Sequence, residues 1–321
     1  MSTKKLFFIG FHNGFNPNDN WINSNFFKLS KTNFIVVNTI EECDILLVGS
    51  FIDDNHYTIV NNCKKPRILF VSEPLGYWYP VATKLLMDNT VECLTCCITD
   101  GSFNRNNRQT KSIKFSLYLE IFDYRQRIND KSIFEHVNDY VKECVVTNQL
   151  CSKLSSKRFC SLINRHDAGQ TRINVFTLLN SIKKVDCPSA LFHNYPNEEL
   201  EKLGNVEFIK QYIYNICPEN FKCQFDGYIT EKLMRACLGG AIPIYAGHFD
   251  DVDAKIFNPK RILFYDPSDL KSIQKIYTTV QLFESKPDLL KFFYSQPVFL
   301  PTAFETIETM CQNLANWIDD N

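Results

Sequence analysis

Residues Phe208–Phe249 read FIKQYIYNICPENFKCQFDGYITEKLMRACLGGAIPIYAGHF, and the order of residue types along this stretch decides the fold. Tyr212–Cys217 is a β-rich apolar run that stops at Pro218-Glu219-Asn220. A loop through Asp226-Gly227 follows, and the hydroxyl of Thr230 suits the free amides of a first helical turn. The spacing predicts that helix over Glu231–Leu238, closed by Gly239-Gly240, where a left-handed C-cap costs little. Ala241–Ala246 is apolar and ends at Gly247, as a buried parallel strand does.

A helix N-terminus points free N–H groups and positive dipole at whatever lies before it, and so favours an anion. Lys232 sits in that first turn, where a cation is disfavoured by about 0.3–1 kcal/mol. The placement makes sense if a phosphate is neutralised there. Glu231 suits the dipole but repels phosphate, which fits it to accept hydrogen bonds from sugar hydroxyls. The same two residues also read as a solvated Glu–Lys pair.

The elements Glu219-Asn220, Tyr228-Ile229-Thr230-Glu231-Lys232 and Gly240-Ala241-Ile242-Pro243-Ile244 resemble the signature of the α1,3-fucosyltransferases, glycosyltransferase family 10. Pro218 departs from it, standing where an aromatic is usual, as does Gly227, where an Asp is common. Lys222 and Cys223 are further peculiarities of this loop. The resemblance implies an α/β protein of GT-B type, with two Rossmann-like domains and a cleft between them. It implies inverting transfer of L-fucose from GDP-fucose to a GlcNAc-containing glycan or glycoconjugate in α1,3 linkage. Glu219, Asn220, Tyr228, Thr230, Glu231 and Lys232 would then bind the donor. The alternatives are a same-fold transferase for another nucleotide sugar and a non-catalytic protein that binds nucleotide sugar or glycan.

Upstream, Leu6–Phe11, Phe34–Val37, Asp44–Val48, Arg67–Val71 and Cys93–Ile98 read as short strands separated by segments long enough for helices. Glu73 follows the fourth, with Pro74 and Gly76 shaping its turn. Ligands of such sheets approach the carboxyl ends of strands. Transfer to a hydroxyl needs that hydroxyl deprotonated, and a positioned carboxylate contributes about 10²–10⁴-fold. Ile68–Glu73 resembles the family segment carrying the proposed general base, which implies that role for Glu73; a solvated or capping Glu is the alternative. The basic stretch Asn104–Lys114 reads as a solvated loop or acceptor-side surface.

The second half opens with a strand over Phe159–Ile163, a polar loop from Asn164 to Gly169, and a helix from Gln170 to about Ile182. Arg172 falls in that helix's first turn, again misplaced unless an anion lies before it. The family places an Arg here against the donor diphosphate, which implies donor roles for Arg172 and for Asn164, the latter standing where the family has Ser. Arg165 reads as supporting or solvated, and His193 as a surface loop residue. Asp251-Val252-Asp253 mimics the metal motif of another glycosyltransferase architecture but reads as exposed loop. Arg172, Lys232 and helix amides would supply the neutralisation, so no cofactor is required and no dedicated metal site is expected, a divalent ion being at most stimulatory.

The 321 residues are 45% hydrophobic and 22% charged with net charge −1, which gives no support for nucleic acid as a partner. Thirteen cysteines, odd in number and scattered in apolar runs, suggest reduced thiols. Cys93, Cys96 and Cys97 resemble half a zinc site with no second half. The N-terminal apolar run is too short for a signal core or anchor, no segment has the length of a membrane span, and Asn-x-Ser/Thr is absent. The expectation is a cytoplasmic protein. Domains are expected over 1–150 (acceptor and base) and 151–295 (nucleotide sugar), with 296–321 a helix packing back on the first.

Overall fold

Residues 3–12, 15–16, 29–73, 79–88, 90–96, 101–105, 108–120, 123–146, 153–220 and 227–321 are described in a computed structural model of the chain. The expected Pro74–Gly76 turn, Cys97, and the loop residues Lys222, Cys223 and Asp226 lie outside the described residues. The chain forms two units. Unit 1 is Met1–Tyr124, Cys223–Thr230 and Glu305–Asn321; unit 2 is Arg125–Lys222 and Glu231–Phe304.

Unit 1 is built on β1 (Thr3–Ile9), β2 (Asn33–Val36), β3 (Ile45–Val48), β4 (Arg67–Val71), β5 (Cys93–Cys96), β6 (Gly101–Arg105) and β7 (Arg108–Lys114). They form one sheet in the order β2-β1-β3-β4-β5-β7-β6. All its pairings are parallel except β6 with β7. All four residues of β3 are buried, as the continuous apolar run Ile45–Val48 demands of a strand covered on both faces. Helix α1 (Asp54–Asn62) begins at Asp53, whose carboxylate accepts from the His56 amide at 2.9 Å, and α2 (Pro80–Met87) begins with proline in its first turn. The basic stretch expected as a loop is the β6–β7 hairpin. Its second strand pairs with β5, burying Thr110, Ile113 and Lys114, which a reading by charge alone overlooks.

Unit 2 opens with the hairpin β8 (Arg127–Ile128) and β9 (Lys131–Ser132), then α3 (Ile133–Val145), which starts in a Ser132–Glu135 capping box. There follow β10 (Arg158–Leu162), α4 (Ile173–Ile182), β11 (Val185–Asp186), α5 (Glu198–Ile209), β12 (Tyr212–Ile216), α6 (Glu231–Leu238) and β13 (Ile242–Tyr245). Then come α7 (Asp253–Ile256), β14 (Leu263–Phe264), α8 (Leu270–Ser285) and α9 (Pro287–Tyr294). The five strands make a wholly parallel sheet in the order β11-β10-β12-β13-β14. Helix α3 belongs here because Asn138 brackets one turn of chain. Its amide donates to the Phe299 carbonyl at 2.9 Å and its oxygen accepts from the Val298 and Phe299 amides. The first boundary therefore falls at 124/125, where 150 is expected from sequence. Helix α5 is kinked where Gly204 takes φ +74°. The last helix, α10 (Ala303–Asp320), joins unit 1 from Glu305, where Lys4 donates to the carbonyls of Ile318 and Asp319 at 2.7 and 2.8 Å.

The two sheets share one plan. In each, the first strand of the sheet lies between its second and third, so the strand order reverses there, at β1/β3 and at β10/β12. Ligands of open α/β sheets bind outside the carboxyl ends of strands at this switch point.

Candidate active site

A cavity of about 1060 Å³ opens in unit 2 at the carboxyl ends of β10 and β12. Asn164 and His166 line it from the loop after β10, Asn220 from the end of β12, and Glu231, Lys232 and Arg235 from α6. Arg165 and His193, read from sequence as marginal, line it too. That volume is of the size that holds a drug-sized ligand.

Lys232 lies where the sequence predicts, in the first turn of α6. Its ammonium is 3.3 Å from the carboxylate of Glu219, a side chain with no exposure, and 3.8 Å from Glu231. The hydroxyl of Tyr245, on β13, donates to the other Glu219 oxygen at 3.2 Å. Burial opposes the Lys232 charge, and Glu219 and Glu231 outweigh it, holding the pKa above the ordinary lysine value. Arg235 donates to Glu231 at 3.1 Å, one turn on. The cavity wall thus carries a cation fixed by a buried anion, beside a carboxylate fixed by a second cation. Gly247 permits this packing, because a Cβ there would lie 2.3 Å from the Tyr245 hydroxyl and 2.7 Å from Glu219 Cγ.

Arg172 corrects the sequence reading in one respect. It is the N-cap of α4, which starts at Ile173, not a residue of its first turn. The anion in front of this helix is the protein's own Asp167, which accepts from the amides of Thr171, Arg172 and Ile173 at 2.9–3.2 Å. The Arg172 guanidinium is wholly buried. It donates to the carbonyls of His166 and Pro218, to Asp167, and to Asn220 Oδ1 at 2.9 Å. Burial pulls its pKa below the usual arginine value, against Asp167, Tyr265 and Glu219. Arg172 therefore ties the loop after β10 to the loop after β12, the two loops that edge the cavity. Asp167 and Tyr245 could not be found by motif, since each acts on a partner far away in sequence or through backbone amides. The same holds for Arg261, wholly buried and capping the carbonyls of Gly240 and Ala241 at 2.9 and 2.8 Å after α6.

Asp251 and Asp253 do not act together. Asp251 is exposed, whereas Asp253 has no exposure and accepts from the Asp250 amide at 3.1 Å, so the expected exposed loop is half buried. Among the described residues no group of three His, Cys, Asp or Glu side chains is placed to hold a metal ion.

Glu73 and Tyr228 both belong to unit 1. The Ser72 amide donates to Ser50 Oγ at 3.1 Å, and Ser50 Oγ donates to the Phe70 carbonyl at 3.0 Å, which ties the end of β4 to the end of β3. Glu73 follows directly. The Tyr228 ring packs in the unit's apolar core, and its hydroxyl lies 3.5 Å from Glu73 Oε2. Tyr79 is pushed up to about 12, first by burial and then by the charge of Glu73. Thr230, 2% exposed, is also assigned to unit 1, next to Glu231 of unit 2. The predicted donor residues thus divide: Asn164, Asn220, Glu231 and Lys232 line the unit 2 cavity, Arg172 and Glu219 bond to Asn220 and Lys232 there, and Tyr228 and Thr230 do not lie in that unit.

No family model matches the chain. Over 160 residues the chain is 31% identical to the α-(1,3)-fucosyltransferase FucT of Helicobacter pylori, a match that covers 48% of this chain and 30% of that protein. A crystal structure of an α1,3-fucosyltransferase superposes with a TM-score of 0.65 at 17% identity, covering 98% of this chain and 90% of that one. The chain has the α1,3-fucosyltransferase fold. A second structure of that type, determined with GDP-fucose, gives a TM-score of 0.60, again at 17% identity, over 98% and 91% of the chains. Anabaena Alr3699/HepE in complex with UDP and glucose gives 0.54 at 8% identity over 99% and 100%. The expected α/β architecture of GT-B type is the one observed. Among the described residues no helix is long and apolar enough to cross a membrane.

Proposed function

We propose that the chain is an inverting fucosyltransferase that moves L-fucose from GDP-fucose to a hydroxyl of a GlcNAc-containing glycan, forming an α1,3 bond. The observation that carries this reading is Lys232, held on Glu219 at the wall of a ligand-sized cavity, at the strand-order reversal of a sheet with this fold. The sequence likeness to a fucosyltransferase favours fucose over other nucleotide-bound sugars.

In this reading the donor diphosphate lies against Lys232. Glu231, fixed by Arg235, accepts hydrogen bonds from donor hydroxyls, and Asn164 and Asn220 offer polar contacts along the wall. Arg172 supports the two loops that carry Asn164 and Asn220. Glu73 takes the acceptor hydroxyl's proton as that oxygen attacks the anomeric carbon, on the face opposite the diphosphate. The bond from anomeric carbon to diphosphate oxygen breaks, and the pair of electrons leaves on GDP. Lys232 is already in place for that charge, so stabilising it requires no reorganisation. Lys232, a fixed cation, does the work a metal does elsewhere, and activity is expected to persist in EDTA.

The test is thermal stability with GDP, UDP, GDP-fucose and GDP-mannose in EDTA, for wild type and Lys232→Ala. Guanine ligands at ~100 times Kd should add about 2.7 kcal/mol to the wild type and little to the variant. Stabilisation by UDP alone keeps the fold and removes GDP-fucose. No shift with any nucleotide favours a binding protein of another kind.

A further inference from the structure

At the strand-order reversal of unit 1 lies a row of aromatic rings. Phe11, His12 and Phe15 follow β1, Phe51 follows β3, and Tyr79 precedes α2. Phe11 and Phe15 stack with centroids 4.2 Å apart, His12 stands edge-on to Phe51 at 6.4 Å, and Phe51 edge-on to Tyr79 at 5.5 Å. Two glycines bring the loops together. A Cβ on Gly49 would meet the Gly10 carbonyl at 2.3 Å, and the Phe51 amide donates to that carbonyl at 2.8 Å.

A core has reason to bury such rings, yet Phe51 is 40% exposed, His12 is exposed, and Phe11, Phe15 and Tyr79 are only partly covered. The row also lies beside the carboxylate assigned as base. Ser50 immediately precedes Phe51, Ser72 immediately precedes Glu73, and the Ser72 amide donates to the Ser50 hydroxyl at 3.1 Å. Flat, half-exposed rings next to a carboxylate, at the place where open α/β sheets bind ligands, suit one kind of molecule. It has an apolar C–H face to lie on the ring and a hydroxyl to present to the carboxylate. A pyranose meets both needs.

We infer that Phe51 is the platform on which the acceptor sugar ring stacks, with Tyr79 edge-on beside it, the acceptor being an uncharged pyranose of a glycan with its reacting hydroxyl turned to Glu73. This rests on the transferase reading for Glu73's part in it. Phe51 sets acceptor recognition and leaves the donor untouched, since it belongs to unit 1 and the donor cavity lies within unit 2.

The experiment is saturation-transfer NMR from the protein's aromatic protons to an N-acetylglucosamine-containing oligosaccharide, with GDP present. It is paired with acceptor and GDP-fucose kinetics, for wild type, Phe51→Ala and Phe51→Tyr. The expected result is transfer to the sugar ring protons that Phe51→Ala loses and Phe51→Tyr keeps. Acceptor KM should rise at least tenfold in Phe51→Ala, with GDP-fucose KM and the GDP-induced melting shift unchanged. Equal sugar contact in wild type and Phe51→Ala, saturation reaching only an apolar aglycone, or no contact in the wild type overturns the inference. Sugar contact that depends on Phe51 in a protein that neither binds GDP nor transfers fucose sinks the transferase reading and leaves the platform standing.

Discussion

Lys232 and Glu219 lie 3.3 Å apart, thirteen residues distant in sequence, and the Glu219 carboxylate has no exposure. Its second oxygen accepts from Tyr245, so this buried anion is held on two sides while it holds the lysine. A cation at a helix N-terminus is locally unfavourable, and Glu219 is what offsets that cost when no ligand is bound. Removing one member of such a pair is far more costly than never having had it. Glu219→Gln is expected to lower stability by about 3 kcal/mol, read as the urea midpoint at constant slope. An unchanged midpoint would show that the pair does not form.

Glu73→Gln should leave the GDP melting shift intact and reduce turnover by about 10²–10⁴-fold, the range for a general base. Steady-state kinetics decides: turnover within tenfold of wild type would remove Glu73 from the chemistry.

Arg172→Met should act on structure and donor affinity together, because the guanidinium joins the Asp167 loop to Pro218 and Asn220. Left without it, a buried Asp167 and an open loop end cost about 3 kcal/mol. Asp167→Ala should cost at least about 3 kcal/mol, because it removes the α4 cap and also leaves the buried Arg172 guanidinium without its ion partner. Melting curves compare the two, and both variants are predicted to melt well below wild type.

Alkaline pH should unfold the protein early. Burial pushes the Cys43 thiol up to about 11 and those of Cys93, Cys187 and Cys237 up to about 12, above their ordinary value of 9.0. Their folded pKa is raised, so the contribution is complete below pH 9 and is lost as pH rises toward 11–12. Melting temperature measured from pH 8 to 10.5 should fall above 9, and fall less steeply in Cys237→Ala relative to its own value at pH 8. Parallel slopes for the two proteins would contradict this.

Much of the fold is legible in the sequence because the central strands are unbroken apolar runs with turn residues at their ends. Ile45–Val48, Arg67–Val71, Tyr212–Ile216 and Ile242–Tyr245 lie where the pattern puts them, and α6 has the predicted limits Glu231–Leu238. What escapes notice depends on pairing between distant segments. The β6–β7 hairpin looks like a basic loop until β5 supplies its partner. Helix α5 hides behind Pro196, Gly204 and a polar surface, and α3 changes unit because Asn138 finds Val298 and Phe299 some 160 positions on.

The site divides in the same way. Glu231 and Lys232 carry their own local signal, a charged pair in a first turn, and both line the cavity. The anion before Arg172 is equally implied by local physics, but sequence could not say that Asp167 provides it. Tyr228 sits inside the signature, yet its hydroxyl meets Glu73, 155 positions earlier, a contact no motif encodes.

The most direct measurement is to incubate the protein with GDP-fucose and an N-acetylglucosamine-containing oligosaccharide in EDTA, and to read the product by mass spectrometry and NMR. The expected product carries one added deoxyhexose in α1,3 linkage, formed by wild type, lost in Lys232→Ala and reduced at least about 10²-fold in Glu73→Gln. Unchanged oligosaccharide from a folded, GDP-stabilised wild type would contradict it, as would equal product from either variant.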